Sequence, residues 1–116
     1  MGRLRGLDRS RPEEPGPMTP PPIYFNNPKA RGQLVRVGIV YTLRRKRAEG
    51  VTRARTGTYT NFSDLGQVDV KEIDQHPGRA LLYKVLGATG SDSIAEWRDA
   101  AKPGSDVLYS VIRIGP

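Results

Sequence analysis

Val35-Arg36-Val37-Gly38-Ile39-Val40-Tyr41-Thr42-Leu43 carries an apolar side chain at every second position from Val35 to Leu43. Nine residues of that alternation predict a half-buried strand, with Val35, Val37, Ile39, Tyr41 and Leu43 on one face and Arg36, Gly38, Thr42 and Arg44 on the other. The strand runs straight into Arg44-Arg45-Lys46-Arg47, followed by Glu49-Gly50 and a second β-prone stretch from Val51 to Asn61 rich in Thr and Arg. Two such stretches joined by a short Gly-containing connection read as a basic β-hairpin.

Working outward, Asn61 to Gly66 supplies turn residues, and Gln67 to Ile73 predicts a third strand with Val68 and Val70 on one face. His76-Pro77-Gly78 is a turn. Ala80 to Leu86 is apolar on both faces and is read as a central fourth strand. Ser93-Ile94-Ala95-Glu96 has the spacing of a capping box and predicts a short helix near 93–102, presenting Ile94, Trp97 and Ala101 on one face and stopped at Pro103-Gly104. Val107 to Ile114 predicts a closing strand. The expectation is a mostly β, α+β fold: a small barrel of about five to six strands with one helix at its side.

Seven of the ten prolines lie in residues 1–28, including Pro20, Pro21 and Pro22, where neither helical nor strand periodicity appears. This predicts a disordered, polyproline-like arm over 1–28 and a single domain over 29–116, its folded part beginning near Ile23 or slightly later. Met18 lies within the arm as an alternative start to Met1. A chain of 116 residues holds one domain and no deep, elaborate active site.

The net charge is +7, with 19 Lys and Arg against 12 Asp and Glu. It is concentrated: residues 29–55 hold nine basic side chains and one acid, Glu49, whereas residues 56–116 are slightly acidic. A positive field focused in one segment of an otherwise acidic body points to a polyanion, since each phosphate neutralised by Lys or Arg releases a condensed counterion. Arg36, Arg44, Arg45, Lys46, Arg47, Arg53 and Arg55 are the candidates to grip phosphates, with Tyr59 to stack on an unpaired base. Phe62, Tyr83 and Trp97 are read as core. The partner expected is RNA, tRNA or rRNA among the candidates, with duplex DNA held by an architectural protein as the alternative.

Cysteine is absent, which removes disulfides, thiolate nucleophiles and Cys-ligated zinc. His76 is the single histidine. It stands two residues from Asp74 but in a turn, and no nucleophile–base pair or calcium-loop spacing accompanies it. No catalytic residue, metal site or cofactor is expected from these residues. No apolar run reaches the roughly 18 residues of a membrane span, so a soluble cytoplasmic protein is expected.

Leu86-Gly87-Ala88-Thr89-Gly90-Ser91-Asp92-Ser93-Ile94-Ala95-Glu96-Trp97, the helix it opens and the strand Val107 to Ile114 resemble the C-terminal part of ASCH domains, of the PUA-like superfamily. Leu65-Gly66-Gln67-Val68-Asp69-Val70-Lys71-Glu72-Ile73 resembles the strand those domains place before it. The resemblance implies a small PUA-like pseudo-barrel that binds RNA, and in some members a nuclease or an amidohydrolase acting on modified nucleosides. The family's Gly-x-Lys-x-x-Glu-x-Arg pattern, laid on Gly38, meets Val40 at the lysine, Leu43 at the glutamate and Arg45 at the arginine. The two groups a catalytic member would use are therefore missing, and the resemblance favours a binding module without enzymatic activity.

Overall fold

A computed structural model describes residues 19–115. The strands β1 (Ile23–Tyr24), β2 (Ile39–Arg44), β3 (Gly50–Gly57), β4 (Phe62–Asp74) and β5 (Val107–Arg113) form one sheet in the order β1-β3-β4-β5-β2. β1 runs parallel to β3, and every other neighbouring pair is antiparallel. Helices α1 (Pro28–Val37), α2 (Arg79–Val85) and α3 (Ile94–Ala100) complete the fold, with a 3-10 turn at Leu86–Ala88.

The shape follows from β4. Its first half pairs with β3 and its second with β5, and each ladder is broken by a bulge, where Leu65 and Ile73 are the extra residues. A bulge bends its strand and increases the local twist, and the sheet curls into a half-barrel. Its concave face holds Val40, Ala54, Val68, Val70, Tyr109 and Val111, together with Ile23 and Phe25 from the β1 segment and Leu34 from α1. A second cluster lies on the outer side of β2 and β5, where Leu43 and Leu108 meet Leu82 of α2 and Trp97 of α3. With both faces covered, β5 buries five consecutive residues from Val107 to Val111, as the continuous apolar run suggested.

The β-rich α+β class and the closing strand match the sequence reading, but four elements differ. Val35 to Val37 is the last turn of α1 and not the start of a strand. Asn27 accepts backbone N–H bonds from Lys29 (2.9 Å) and Ala30 (3.2 Å), and Pro28 occupies the first turn, where its missing N–H costs nothing. The helix ends at Gly38, whose φ of +91° favours glycine and whose N–H bonds Leu34 O. Ala30, Gln33 and Leu34 face inward at helical spacing, while Val35 and Val37 are 44% and 61% exposed. The period-two pattern therefore joined a solvated helix end to a real strand beginning at Ile39.

The expected hairpin of β2 with β3 is also absent: β2 pairs with β5 alone, and the antiparallel hairpin is β3–β4. Ala80 to Leu86 is helical as α2 and the 3-10 turn, its apolar Leu81, Leu82, Val85 and Leu86 spaced to reach β2 and β5 from outside. The fourth difference shortens the arm. Ile23 and Phe25 are core residues and Thr52 Oγ1 donates to Pro20 O (2.9 Å), so the domain includes residues before 29. The remainder of the expected arm, and Met18, lie outside the described residues.

At α3 the cap is as expected on one side only. Ser93 Oγ accepts from Glu96 N (3.1 Å), but the Glu96 carboxylate takes the N–H of Asp92 (2.7 Å) instead of that of Ser93. The helix is two turns long and one of three, where a single longer one was expected. For α1, the Asn27→Ala variant removes the acceptor of two N–H groups and is expected to lose about 1 kcal/mol, read as a lower urea midpoint at unchanged slope.

Candidate nucleic-acid interface

The cations expected to bind phosphate are distributed over three places. Arg36 is exposed on the last turn of α1, and β2 separates it from Arg44 by about 16 Å of strand. Arg44, Arg45, Lys46 and Arg47 occupy the end of β2 and the connection to β3. Arg53 and Arg55 alternate with the buried Thr52 and Ala54 on β3, so they stand on its outer side.

Their surroundings differ in kind. Lys46 pairs with Glu72, and Arg53 with Asp64, whose carboxyl is held below its usual range by that guanidinium and by the Gly66 N–H. Lys29 reaches both Asp92 (3.1 Å) and Glu96 (2.6 Å). Among the described residues, the other six basic side chains of 29–55 have no carboxylate within 4.0 Å: Arg31, Arg36, Arg44, Arg45, Arg47 and Arg55. Arg45 spends two N–H groups on Pro103 O (3.2 and 3.1 Å), and Arg47 bonds Pro21 O. Carbonyl acceptors orient a guanidinium without neutralising it, so most of the segment's charge is held in place and left uncompensated.

The β3–β4 hairpin supplies the aromatic part. Its turn is closed by Thr58 N to Asn61 O (2.9 Å), and Tyr59 on that turn is 81% exposed. Phe62, read from sequence as core, is 41% exposed and lies under the Arg55 guanidinium, 3.9 Å from its ring centroid. Tyr83 is likewise 59% exposed on α2, whereas Trp97 is buried as expected. Asn26 ties the hairpin to the body: its amide accepts from Gly57 N (2.6 Å) and donates to Gly57 O (2.9 Å), extending the two-residue β1 by one surrogate peptide.

The second feature is the seam of the half-barrel. β1 and β2 are the two edges of the sheet and do not pair with each other; curling brings them together around a cavity of about 200 Å³. Arg44, on the concave-facing side of β2 with Val40 and Thr42, lies over Phe25 from the other edge at 4.8 Å. Its Nε donates to Thr42 Oγ1 (3.0 Å). Loss of water and repulsion from Arg47 lower its pKa to about 10. It still carries its charge at neutral pH.

No protein-family model, no curated protein and no solved structure matches the chain. The candidate interface therefore rests on its own geometry. His76 is exposed, its backbone N–H donating to Asp74 Oδ1 (2.8 Å). Among the described residues no three His, Asp or Glu side chains gather to hold a metal, and no helix is long and apolar enough to cross a membrane.

Sequence reasoning treated Arg44 as one of a run and missed the seam. Had β2 been started at Ile39, alternation from Val40 would have set Arg44 inward. The connection bearing Arg45 to Arg47 is braced by Tyr109, whose hydroxyl accepts from Arg47 N (2.7 Å) and donates to Arg47 O (3.2 Å). Tyr109→Phe leaves both groups without that partner and is expected to cost about 1–3 kcal/mol in chemical denaturation, with faster amide exchange confined to residues 45–49.

Proposed function

We propose that this protein is a non-enzymatic RNA-binding module, an ASCH-like half-barrel of the PUA-like superfamily that works in the cytoplasm and grips single-stranded or looped RNA. One observation carries the reading: six of the nine basic side chains of residues 29–55 have no carboxylate partner among the described residues. Folding does not neutralise that charge internally, so a polyanion is its natural complement. The rings of Tyr59 and Phe62 beside Arg55 favour unpaired bases, which present faces for stacking. Arg45, Arg47 and Arg55 hold the backbone while Tyr59 takes a base. The prong is the β3–β4 hairpin in place of the one expected from β2 and β3.

The test is binding of the full chain to length-matched single-stranded RNA, hairpin RNA and duplex DNA over a salt series. Single-stranded or looped RNA is expected to bind tightest, with a log–log salt slope near −2 to −3, corresponding to three or four phosphate contacts at about 0.7 each. Equal or tighter duplex binding replaces this reading with an architectural DNA-binding one. Absence of binding to all three removes it.

A further inference from the structure

We propose that the cavity at the seam between β1 and β2 is an oxyanion site that takes a terminal phosphate group, clamped by the Arg44 guanidinium. The site is distinct from the outer surface of β3 and the β3–β4 turn, and the proposal stands whether or not that surface binds RNA.

Four observations support it. Arg44 is a cation on the inward side of a strand, with Thr42 and the Phe25 ring as its only close partners among the described residues. Such a charge is costly to hold away from water, and an anion entering the cavity restores what solvent no longer supplies. Second, the cavity wall includes Lys102 besides Arg44 and contains no Asp or Glu. Third, Tyr24, which lines the same cavity from the opposite edge, buries its hydroxyl without a hydrogen-bond partner. Buried hydroxyls are normally satisfied, and one left open in a residue of the cavity wall is a second donor for an oxygen ligand. Fourth, Asn27 and Ala30 bring the start of α1 to the wall, and the positive end of a helix favours an anion there.

Size decides which anion. About 200 Å³ exceeds the roughly 150 Å³ that admits a benzene-sized guest and falls below the roughly 300 Å³ at which sites for drug-sized ligands begin. A phosphate with the first atoms attached to it fits, and the rest of a nucleotide stays at the mouth. With Nε committed to Thr42, the two terminal nitrogens of Arg44 remain for a forked grip on two phosphate oxygens. The phosphate source is either a free nucleoside monophosphate or the phosphorylated end of an RNA chain.

Trp97 is the single tryptophan and lines the cavity, so its fluorescence reports occupancy. The full chain is titrated with inorganic phosphate, a nucleoside 5′-monophosphate, the parent nucleoside, and one short oligoribonucleotide with either a 5′-phosphate or a 5′-hydroxyl. The monophosphate and the 5′-phosphorylated strand are expected to change the emission and raise the melting temperature, with the nucleoside at least about tenfold weaker. Tighter binding of the 5′-phosphorylated strand than of the monophosphate identifies an RNA end; the reverse identifies a free nucleotide.

Arg44→Met is expected to abolish the response. Tyr24→Phe, which removes only the hydroxyl, is expected to weaken it several-fold and keeps the test informative if the first variant is poorly folded. Equal binding of nucleoside and monophosphate, no response from any phosphate, or a response that survives Arg44→Met in a folded protein overturns the proposal. Lys84→Glu, on α2 and outside the cavity wall, is expected to leave monophosphate binding unchanged, and a monophosphate response in a protein that binds none of the nucleic acids of the salt series separates failure of the RNA surface from failure of the seam site.

Discussion

Replacing Arg45 and Arg55 together by glutamine is expected to lower affinity for single-stranded RNA about a hundredfold at low salt and to reduce the salt slope by about 1.4. The affinity follows from two charge-assisted contacts worth about 1.5 kcal/mol each, and the slope from two fewer counterions released, at about 0.7 per phosphate on a single strand. Both side chains lack a carboxylate partner among the described residues, so their removal leaves no acid buried without its base. Filter binding or fluorescence anisotropy at several salt concentrations gives both quantities. Lys84→Glu, exposed on α2 and outside the basic segment, serves as the control. If it weakens binding as much, net charge alone explains the affinity and the placement on β3 and the basic connection is wrong. Tyr59→Ala is expected to act differently, costing roughly tenfold in affinity without changing the slope.

Gly90→Ala is expected to destabilise the fold by about 3 kcal/mol or more. Gly90 has φ +84°, a conformation that penalises any Cβ, and a Cβ built there stands 2.2 Å from Lys29 O and 2.6 Å from its carbonyl carbon. Both neighbours are backbone of the first turn of α1, so no flexible side chain can give way. The loop 89–91 must move off α1, and since Thr89 and Ser91 line the seam cavity, the Trp97 response to phosphate is lost as well. Gly87→Ala is the matched control: its Cβ meets nothing within 4 Å, and reduced freedom of the unfolded chain makes it neutral or slightly stabilising. Equal urea midpoints for the two variants would show that the 89–91 loop does not rest on α1.

Legibility in the sequence followed the locality of the forces. The Ser93 cap, the strand around Val68 and Val70, and the doubly covered Val107 to Val111 declare themselves in consecutive residues, and the structure has them. Residues 28–37 misled because a helix end that faces water obeys no pattern: Val35 and Val37 happened to continue the alternation of β2. The boundary signals were nonetheless present, Asn27-Pro28 before the helix and Gly38 after it. Leu81 to Leu86 was ambiguous for a different reason, since a short apolar run suits a buried strand and a helix alike, and only the position of β2 and β5 decides. For the site, composition located the charge but not its partners. Glu72 and Asp64 neutralise Lys46 and Arg53 across strands that sequence reasoning had not paired. The seam depends on the curl of the whole sheet, which no local stretch encodes.

The order of the strands also sets an order of events during synthesis. β5 lies between β4 and β2, yet it follows both in the chain, with Ile39 finding its partner only at Ile112. The β3–β4 hairpin closes over a short turn and can form as soon as it leaves the ribosome, whereas β2 emerges first and must wait for residues 107–113 with Val40 and Leu43 uncovered. Pairings this distant in sequence are slow. Until they form, β2 is an apolar strand with two open edges, the form in which nascent chains invite chaperones or one another. The Arg44-Arg45-Lys46-Arg47 run that follows it gives this waiting strand a charged flank, the arrangement that discourages such contacts around an unavoidable apolar strand.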